Sequence, residues 1–387
     1  MSNKLSASVL ALSGFIALAV AMGIGRFAFT PLLPMMQADA GLGLAEGGWL
    51  ASANYLGYLV GALTAAALPG TPAAVLRAGL LLVVASTVLM GLTQGWYGWM
   101  AWRFIAGLAS AWVLVSTAAL CLSRLAAVGR QALAGLVFAG VGIGIALAGL
   151  LCMGLAMAGV SSDHAWLLMG AIACAGAISA RRLWASGPAA AMANAPAAAP
   201  AGGQLRLIAS YGLFGFGYIL PATFLPAQAR LLADDPALFG LAWPIFGVAA
   251  AVSTLLITRL AGLYTRRTLW IAAHIIMAAG VLFPTLAPGL GAIAVAAVCV
   301  GGTFMVITML AMQEAQAVGG LRARHLMAAM TASFAAGQLA GPIFFSLTNT
   351  WFGAGLDFAL ELAAAGLLLG AALLWPAGTR RATDTGA

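Results

Sequence analysis

Apolar runs long enough to cross a membrane recur along the whole chain, separated by short polar or Gly/Pro-rich stretches. A spanning helix needs about 20 mostly apolar residues, and twelve runs meet that requirement. They occupy Val9–Leu33, Trp49–Leu68, Ala74–Leu92, Trp99–Leu122, Ala132–Met157, Ala165–Leu183, Leu207–Ala229, Leu241–Leu260, Leu269–Leu286, Leu290–Met312, Met327–Leu347 and Gly355–Trp375. The pattern predicts an all-α polytopic membrane protein with twelve transmembrane helices.

A similar broken segment opens each half of the chain. Gly23–Pro34 reads GIGRFAFTPLLP, and Gly215–Pro226 reads GFGYILPATFLP, 192 residues further on (215 minus 23). Glycines align with glycines, and Arg26 falls opposite Tyr218. Interrupted hydrophobic segments at matching positions of two repeats indicate a transport site. The repeat therefore predicts two pseudo-symmetric six-helix halves.

An Ala-, Pro- and Gly-rich tract, SGPAAAMANAPAAAPAGG, lies between the two sets of six runs. Such a composition cannot build a packed core and is typical of a flexible linker. We expect a first half over residues 1–184, a cytoplasmic linker over 185–204 and a second half over 205–387.

Composition excludes a soluble protein. Of the 387 residues, 63% are hydrophobic and only 7% are charged, whereas soluble domains carry about 25% charged residues to cover their surface. The four cysteines lie singly in apolar runs, so the sequence predicts neither a disulfide framework nor a metal site. No cofactor is indicated.

Basic residues concentrate on one side of the predicted topology. With the N-terminus inside, 14 of the 17 Lys and Arg residues fall in cytoplasmic segments, and Arg26 and Arg103 lie within spans. This distribution follows the positive-inside rule. It predicts a multi-pass protein of the plasma (inner) membrane with both termini cytoplasmic, and it explains the net charge of +8 without nucleic acid.

Pairs of glycines at GxxxG spacing mark three predicted helices. They are Gly57/Gly61, Gly140/Gly144 and Gly337/Gly341. This spacing allows helix backbones to approach closely in lipid. Gly140/Gly144 and Gly337/Gly341 lie in the fifth helix of each half, which is a second sign of duplication.

Together these features resemble the major facilitator superfamily. The opening GIGRFAFTPLLPMM, WPIFG at Trp243–Gly247 and GGTFM at Gly301–Met305 are most similar to its YbfB/YjiJ-type branch. The resemblance implies that the first, fourth, seventh and tenth helices line a central cavity that opens to alternate sides. It also implies a monomer embedded in the bilayer that carries a small molecule.

Further superfamily motifs are present only in part. RFIAG at Arg103–Gly107 resembles a superfamily motif, and the resemblance implies that its arginine takes part in proton transfer. Gly140–Gly149 resembles a motif of exporters, but Ile145 stands where that motif usually has proline. The loop motif expected after the second helix is missing. A partial version follows the eighth helix as Arg259, Gly262, Arg266 and Arg267.

Arg26 is the first candidate for chemistry, because it lies near the middle of the bilayer. An arginine there costs about 2.5–3.5 kcal/mol on insertion scales, so it needs water, an anion or a partner. Its planar fork matches a carboxylate or phosphate. Two roles stay open for Arg26: it anchors an anionic substrate group, or it is structural and binds backbone carbonyls freed near Pro31.

The remaining polar residues in the spans give two weaker sets of candidates. For substrate binding, beside Arg26, they are Tyr218, Asn54, Tyr58, Thr303 and Gln338, with helix-to-helix bonding or packing as the alternative. For coupling or gating they are Arg103, Glu361, Gly140, Gly144, Gly337 and Gly341, with outward snorkelling as the alternative for Arg103 and an interfacial role for Glu361. Glu314 is expected to pair with the nearby Arg322 and Arg324, and His274 to be a core residue.

Three classes of function are compatible with a helical membrane protein: an enzyme, a sensor and a transporter. The chain has neither an HExxH nor a GxSxG motif, so a membrane-embedded enzyme is disfavoured. No soluble domain signals a sensor. A secondary transporter of a small organic solute that works by alternating access fits best. The exporter-like motif favours proton-coupled efflux. A facilitator or exchanger of organic anions centred on Arg26 is the alternative.

Overall fold

The computed structural model describes residues 6–185, 202–232, 236–287, 289–352 and 355–375. Lys4, Arg380 and Arg381, which are among the 14 basic residues assigned to cytoplasmic segments, lie outside the described residues. So does most of the expected linker, although residues 202–204 already belong to the next helix.

Within the described residues, each of the twelve predicted spans coincides with a long helix. In chain order these are α1 Ala7–Asp39, α2 Leu44–Ala65, α3 Pro72–Leu92, α4 Trp96–Ala127, α5 Ala134–Met157, α6 Ser162–Ser179, α7 Gly202–Leu232, α8 Pro236–Leu260, α9 Arg266–Leu286, α10 Leu290–Gly319, α11 Ala323–Phe352 and α12 Leu356–Leu374. The all-helical prediction is confirmed.

Most of these helices are long and apolar enough to cross a membrane. Ten described segments meet that criterion, and one of them, Leu290–Trp351, contains both α10 and α11. Helix α2 is long enough but falls outside this set, because it carries polar residues such as Asn54 and Glu46. Exposed Leu, Ile and Val side chains such as Leu81 and Ile275 cover the outside of the bundle, as lipid contact requires.

The two halves repeat one packing arrangement. In the first half α1 packs on α5, α2 on α4, and α3 on both α4 and α6. In the second half α7 packs on α11, α8 on α10, and α9 on both α10 and α12. Helices at equivalent positions therefore have equivalent neighbours, which confirms the duplication predicted from the opening motif.

Glycines set how closely these helices approach. A Cβ added to Gly140 would lie 2.1 Å from the carbonyl oxygen of Phe15 on α1, and one on Gly337 would lie 2.2 Å from that of Gly212 on α7. Both distances are far below van der Waals contact, so only glycine permits the packing. The two GxxxG pairs thus join the fifth helix of each half to its first.

The halves meet along two helix pairs, α5 with α8 and α2 with α11. Gly142 on α5 contacts the backbone of Gly247 on α8. At one end of the other pair, the buried Arg324 of α11 donates from Nη2 to the carbonyl oxygen of Ala65, the last residue of α2. That carbonyl has no partner further along its own helix, so the arginine caps α2 across the interface.

The end of the bundle that holds Arg324 is called the basic face. Here Glu314 of α10, almost buried, forms ion pairs with Arg266 at 3.2 Å and Arg267 at 2.6 Å. The expected pairing of Glu314 is confirmed, but its partners differ from Arg322 and Arg324, because the start of α9 packs beside the end of α10. Arg266 and Arg267 of the partial loop motif thus pair with an acid of their own half, whereas Arg324 contacts the other half.

We expect Gly140→Ala to lower the free energy of unfolding by about 1–3 kcal/mol, since the added methyl must displace the α1 backbone. Gly154→Ala, in the same helix, is the control because nothing lies within 4 Å of its added Cβ. Thermal unfolding of the purified proteins checks this. Equal stability of the two variants would contradict the close α1–α5 contact.

We expect Arg324→Leu to open the basic face. Loss of a hydrogen bond from a charged donor, worth about 1.5–3 kcal/mol, shifts the closed population about tenfold or more. The measurement is the rate at which a water-soluble maleimide labels Ala62→Cys, which lies beside the α2–α11 contact, in a background without the native cysteines. The exposed Arg322→Leu is the control, and unchanged labelling would contradict a capping role.

Candidate functional site

Arg26 lies in an unusual stretch of α1. Residues Ala19–Phe27 form a π-helix between two α-helical segments, Ala7–Leu18 and Phe29–Asp39. Pro31, just beyond it, has no N–H to donate back into the preceding turn. π-Helical turns are rare and are frequent at functional sites. Here the turn carries Arg26 in the middle of the 33-residue span.

Arg103 of α4 holds this stretch in place. Its guanidinium donates from Nη1 to the carbonyl oxygen of Gly25 at 3.2 Å and from Nη2 to that of Arg26 at 3.3 Å. The group also lies 4.5 Å from the ring centroid of Phe29 and is 2% exposed. Outward snorkelling, the alternative considered for Arg103, is therefore wrong. Arg103 has the structural role that was considered for Arg26, binding backbone carbonyls near Pro31.

The Arg26 side chain points across the interface between halves. It is 3% exposed and donates from Nη2 to the Oε1 atom of Gln338 on α11. Its guanidinium carbon lies 3.7 Å from the ring centroid of Tyr58 on α2, with the Tyr55 ring at 5.6 Å. Among the described residues no carboxylate forms an ion pair with Arg26. Aromatic faces and one amide therefore surround the cation.

Several N–H donors at this interface lack an acceptor. Within the described part of the chain, Nε and Nη1 of Arg26, Nε2 of Gln338 and Nε1 of Trp243 are buried and unpaired. Buried donors without partners cost about 1–3 kcal/mol each. Arg26 and Gln338 are bonded to each other across the halves, and Trp243 contacts Phe27, the neighbour of Arg26. An anion bound at Arg26 would therefore meet donors from both halves.

An aromatic cluster adjoins Arg26. Phe27, the next residue of α1, has its ring 6.1 Å from that of Trp243 on α8 and 5.9 Å from that of Phe304 on α10. Trp243 stacks on Phe246 at 5.4 Å, and Phe304 stacks on Tyr218 at 4.4 Å. The three sequence motifs GIGRF, WPIFG and GGTFM thus meet at one point. We call Arg26, Phe27, Tyr58, Trp243, Phe304 and Gln338 the central cluster.

The other substrate-site candidates have structural partners. Tyr218 packs against Phe304 rather than against Arg26, so the second-half residue that binds Arg26 is Gln338. Asn54 donates to the carbonyl oxygen of Arg103 at 3.0 Å, while its Oδ1 is unpaired. Thr303 donates to the carbonyl oxygen of Cys299 in its own helix at 2.5 Å. The direct partners of Arg26 therefore lie on α2 and α11. Neither belongs to the first, fourth, seventh and tenth helices, which were expected to line the cavity.

The coupling candidates fall into separate places. Glu361 is exposed on α12, which packs on α7 and α9 and not on the helices that contact Arg26. His274 is fully buried against Phe214 and Trp270, with Nδ1 3.1 Å from the carbonyl oxygen of Trp270, as expected of a core histidine. Gly144 and Gly341 pack on α1 and α7 within their own halves.

From the sequence, Gln338 is one of the weaker candidates, and Arg324 is expected only to mark the cytoplasmic side and to lie near Glu314. The available signal for Gln338 was its position inside the Gly337/Gly341 pair, where a polar side chain is held close to a neighbouring helix. No signal in the sequence indicated that Arg324 reaches α2, because Arg324 and Ala65 are 259 positions apart.

Comparison with protein families gives the identity of the fold. Residues 18–375 match the family described as "Uncharacterised MFS-type transporter YbfB". The chain belongs to this family. The family is one of transporters of the major facilitator superfamily, which are multi-pass membrane proteins.

Relatives and solved structures agree with this assignment. The "Uncharacterized MFS-type transporter YcaD" of Salmonella typhimurium is 31% identical over 131 residues, covering 31% of this chain and 32% of the relative; YcaD of Salmonella newport matches equally. The chain thus aligns with about a third of the length of these relatives.

Two solved structures share the fold at low identity. The human organic anion transporter MFSD10 (TETRAN) superimposes with a TM-score of 0.77 at 14% identity, covering 96% of this chain and 100% of that one. The transporter FucP in the outward conformation gives 0.74 at 13% identity, with 97% and 99% coverage. These similarities confirm the major facilitator fold.

We expect Arg103→Lys to destabilise the protein by about 1–3 kcal/mol, since an ammonium lacks the fork that reaches two carbonyls and leaves one unpaired. Thermal unfolding measures the change, with the exposed Arg77→Lys as control. A loss no larger than that of the control would contradict the assignment of Arg103 as the group that holds the π-helical stretch.

Proposed function

We propose that the protein is a secondary transporter of small organic anions that binds its substrate at Arg26, between the two halves. The observation that carries the proposal is a buried guanidinium with unpaired Nε and Nη1 and no carboxylate partner among the described residues. A guanidinium matches a carboxylate or phosphate in geometry as well as charge.

Gln338 supports a link between substrate binding and conformational change. Its amide oxygen accepts a hydrogen bond from Nη2 of Arg26, and Gln338 belongs to the opposite half of the protein. A substrate carboxylate is a stronger acceptor for a guanidinium than a neutral amide, so it competes with Gln338 for the N–H donors of Arg26. Binding the anion therefore favours separation of α1 from α11, which alternating access requires.

The fold similarity to an organic anion transporter supports the same substrate class. By the positive-inside rule, we place the basic face and both termini in the cytoplasm. The inner membrane and a monomeric state stay predictions. Proton coupling and efflux stay predictions from the resemblance of Arg103–Gly107 and Gly140–Gly149 to superfamily motifs. Among the described residues, no acid adjoins Arg26, and this favours a facilitator or exchanger.

We expect small carboxylates to raise the melting temperature of the purified wild-type protein in a dose-dependent manner, because a ligand that binds the native state stabilises it by mass action. Arg26→Lys retains the charge but loses the fork, so the shift should largely disappear and uptake of the same acid into proteoliposomes should fall at least tenfold. Differential scanning fluorimetry and a radiolabelled flux assay measure the two effects.

The control is Arg259→Lys, an exposed substitution on α8 that should keep both the shift and the flux. Full carboxylate transport by a folded Arg26→Lys protein would contradict the proposal. So would stabilisation by cationic or neutral solutes that is equal in Arg26→Lys and wild type, since binding would then not depend on the Arg26 fork.

A further inference from the structure

Two adjacent residues of α1 make two different contacts with the second half. Arg26 donates to Gln338, a polar contact, and Phe27 packs edge-on against Trp243 and Phe304, an apolar one. The guanidinium carbon of Arg26 lies 5.5 Å from the centroid of the Phe27 ring. When the halves separate, both contacts are lost together and at nearly the same place.

We propose that the substrate replaces both contacts and is an aromatic carboxylate. This inference rests on the proposed anion site and adds its selectivity. The carboxylate takes the position of the Gln338 oxygen at Arg26, while the ring takes the position of Phe27 against Trp243 and Phe304. The short distance between guanidinium and ring requires the carboxylate to be attached to the aromatic ring directly or through one or two carbons.

The unpaired polar atoms fit this chemistry. Among the described residues of the central cluster, the buried atoms without a partner are Arg26 Nε and Nη1, Gln338 Nε2 and Trp243 Nε1. All four are hydrogen-bond donors, so the site offers N–H groups to an acceptor-rich ligand. A sugar hydroxyl also accepts from N–H groups, but it carries a hydrogen of its own that needs a further acceptor. A carboxylate presents only acceptors when ionised.

The apolar wall fits a planar ring. Trp243 and Phe246 are nearly parallel, at 8°, and Tyr218 and Phe304 are inclined by 16°. Two stacked pairs from three helices therefore form a rigid surface with flat ring faces and edges, and aromatic partners prefer such offset or edge-to-face geometry. An aliphatic ring of similar size buries its area there but gains no quadrupole complementarity.

The experiment compares benzoate with cyclohexanecarboxylate, which have the same charge and similar size, and with neutral benzamide. We expect wild-type protein to bind benzoate roughly tenfold more tightly than cyclohexanecarboxylate, the ratio that aromatic pairing supplies, and to bind benzamide much more weakly than either. Dissociation constants come from melting-temperature shifts and isothermal calorimetry on the full chain.

Two variants test where the selectivity arises. Phe304→Leu and Trp243→Leu should each reduce the benzoate preference to less than threefold while cyclohexanecarboxylate still binds. The partly exposed Trp243 is the variant to use should Phe304→Leu fail to fold. Phe358→Leu is the matched control, since Phe358 on α12 is 43% exposed and remote from the cluster, and it should retain the full preference.

The outcomes separate the two proposals. Equal affinity for both acids in wild type, with loss of both in Arg26→Lys, would overturn the aromatic selectivity and leave the anion site standing. A preference that survives both Trp243→Leu and Phe304→Leu would overturn the assignment of the ring to this wall. Absence of any carboxylate binding would overturn both the selectivity and the proposed function.

Discussion

A cation within a bilayer must be hydrogen-bonded or solvated, and the protein meets this constraint for Arg26 by closing its two halves around it. The guanidinium lies on Tyr58 of its own half and donates to Gln338 of the other. Since Arg26 belongs to the first helix of one repeat and Gln338 to the fifth helix of the other, the contact exists only when the halves are assembled.

A second arginine makes the first one possible. The carbonyl oxygens of the π-helical stretch of α1 need hydrogen-bond donors, and the stretch must be held in one register. Arg103 meets both needs by donating to two consecutive carbonyl oxygens. Asn54 in turn donates to the carbonyl oxygen of Arg103. Three helices of the first half are thus linked by polar bonds in a region where lipid provides no hydrophobic drive for association.

Contacts between the halves divide into two levels with different chemistry. In the middle of the bundle, Arg26 and Phe27 meet an amide and an aromatic wall, groups that a substrate can replace. At the basic face, Arg324 caps α2 through the Ala65 carbonyl oxygen, a contact that a substrate in the centre does not reach. Separation of the halves at one level therefore need not disturb the other, as alternating access requires.

The sequence by itself determined the fold class, the twelve spans, the duplication and Arg26, because spanning length, GxxxG spacing and repeated motifs are local signals that lipid imposes strongly. Tertiary structure alone decided which groups meet Arg26. Gln338 lies 312 residues away along the chain, and the motifs that contain Trp243 and Phe304 carry no local sign that they meet α1. Arg103 also has the structural role that stood open for Arg26, since the direction of a buried side chain depends on the helices packed around it.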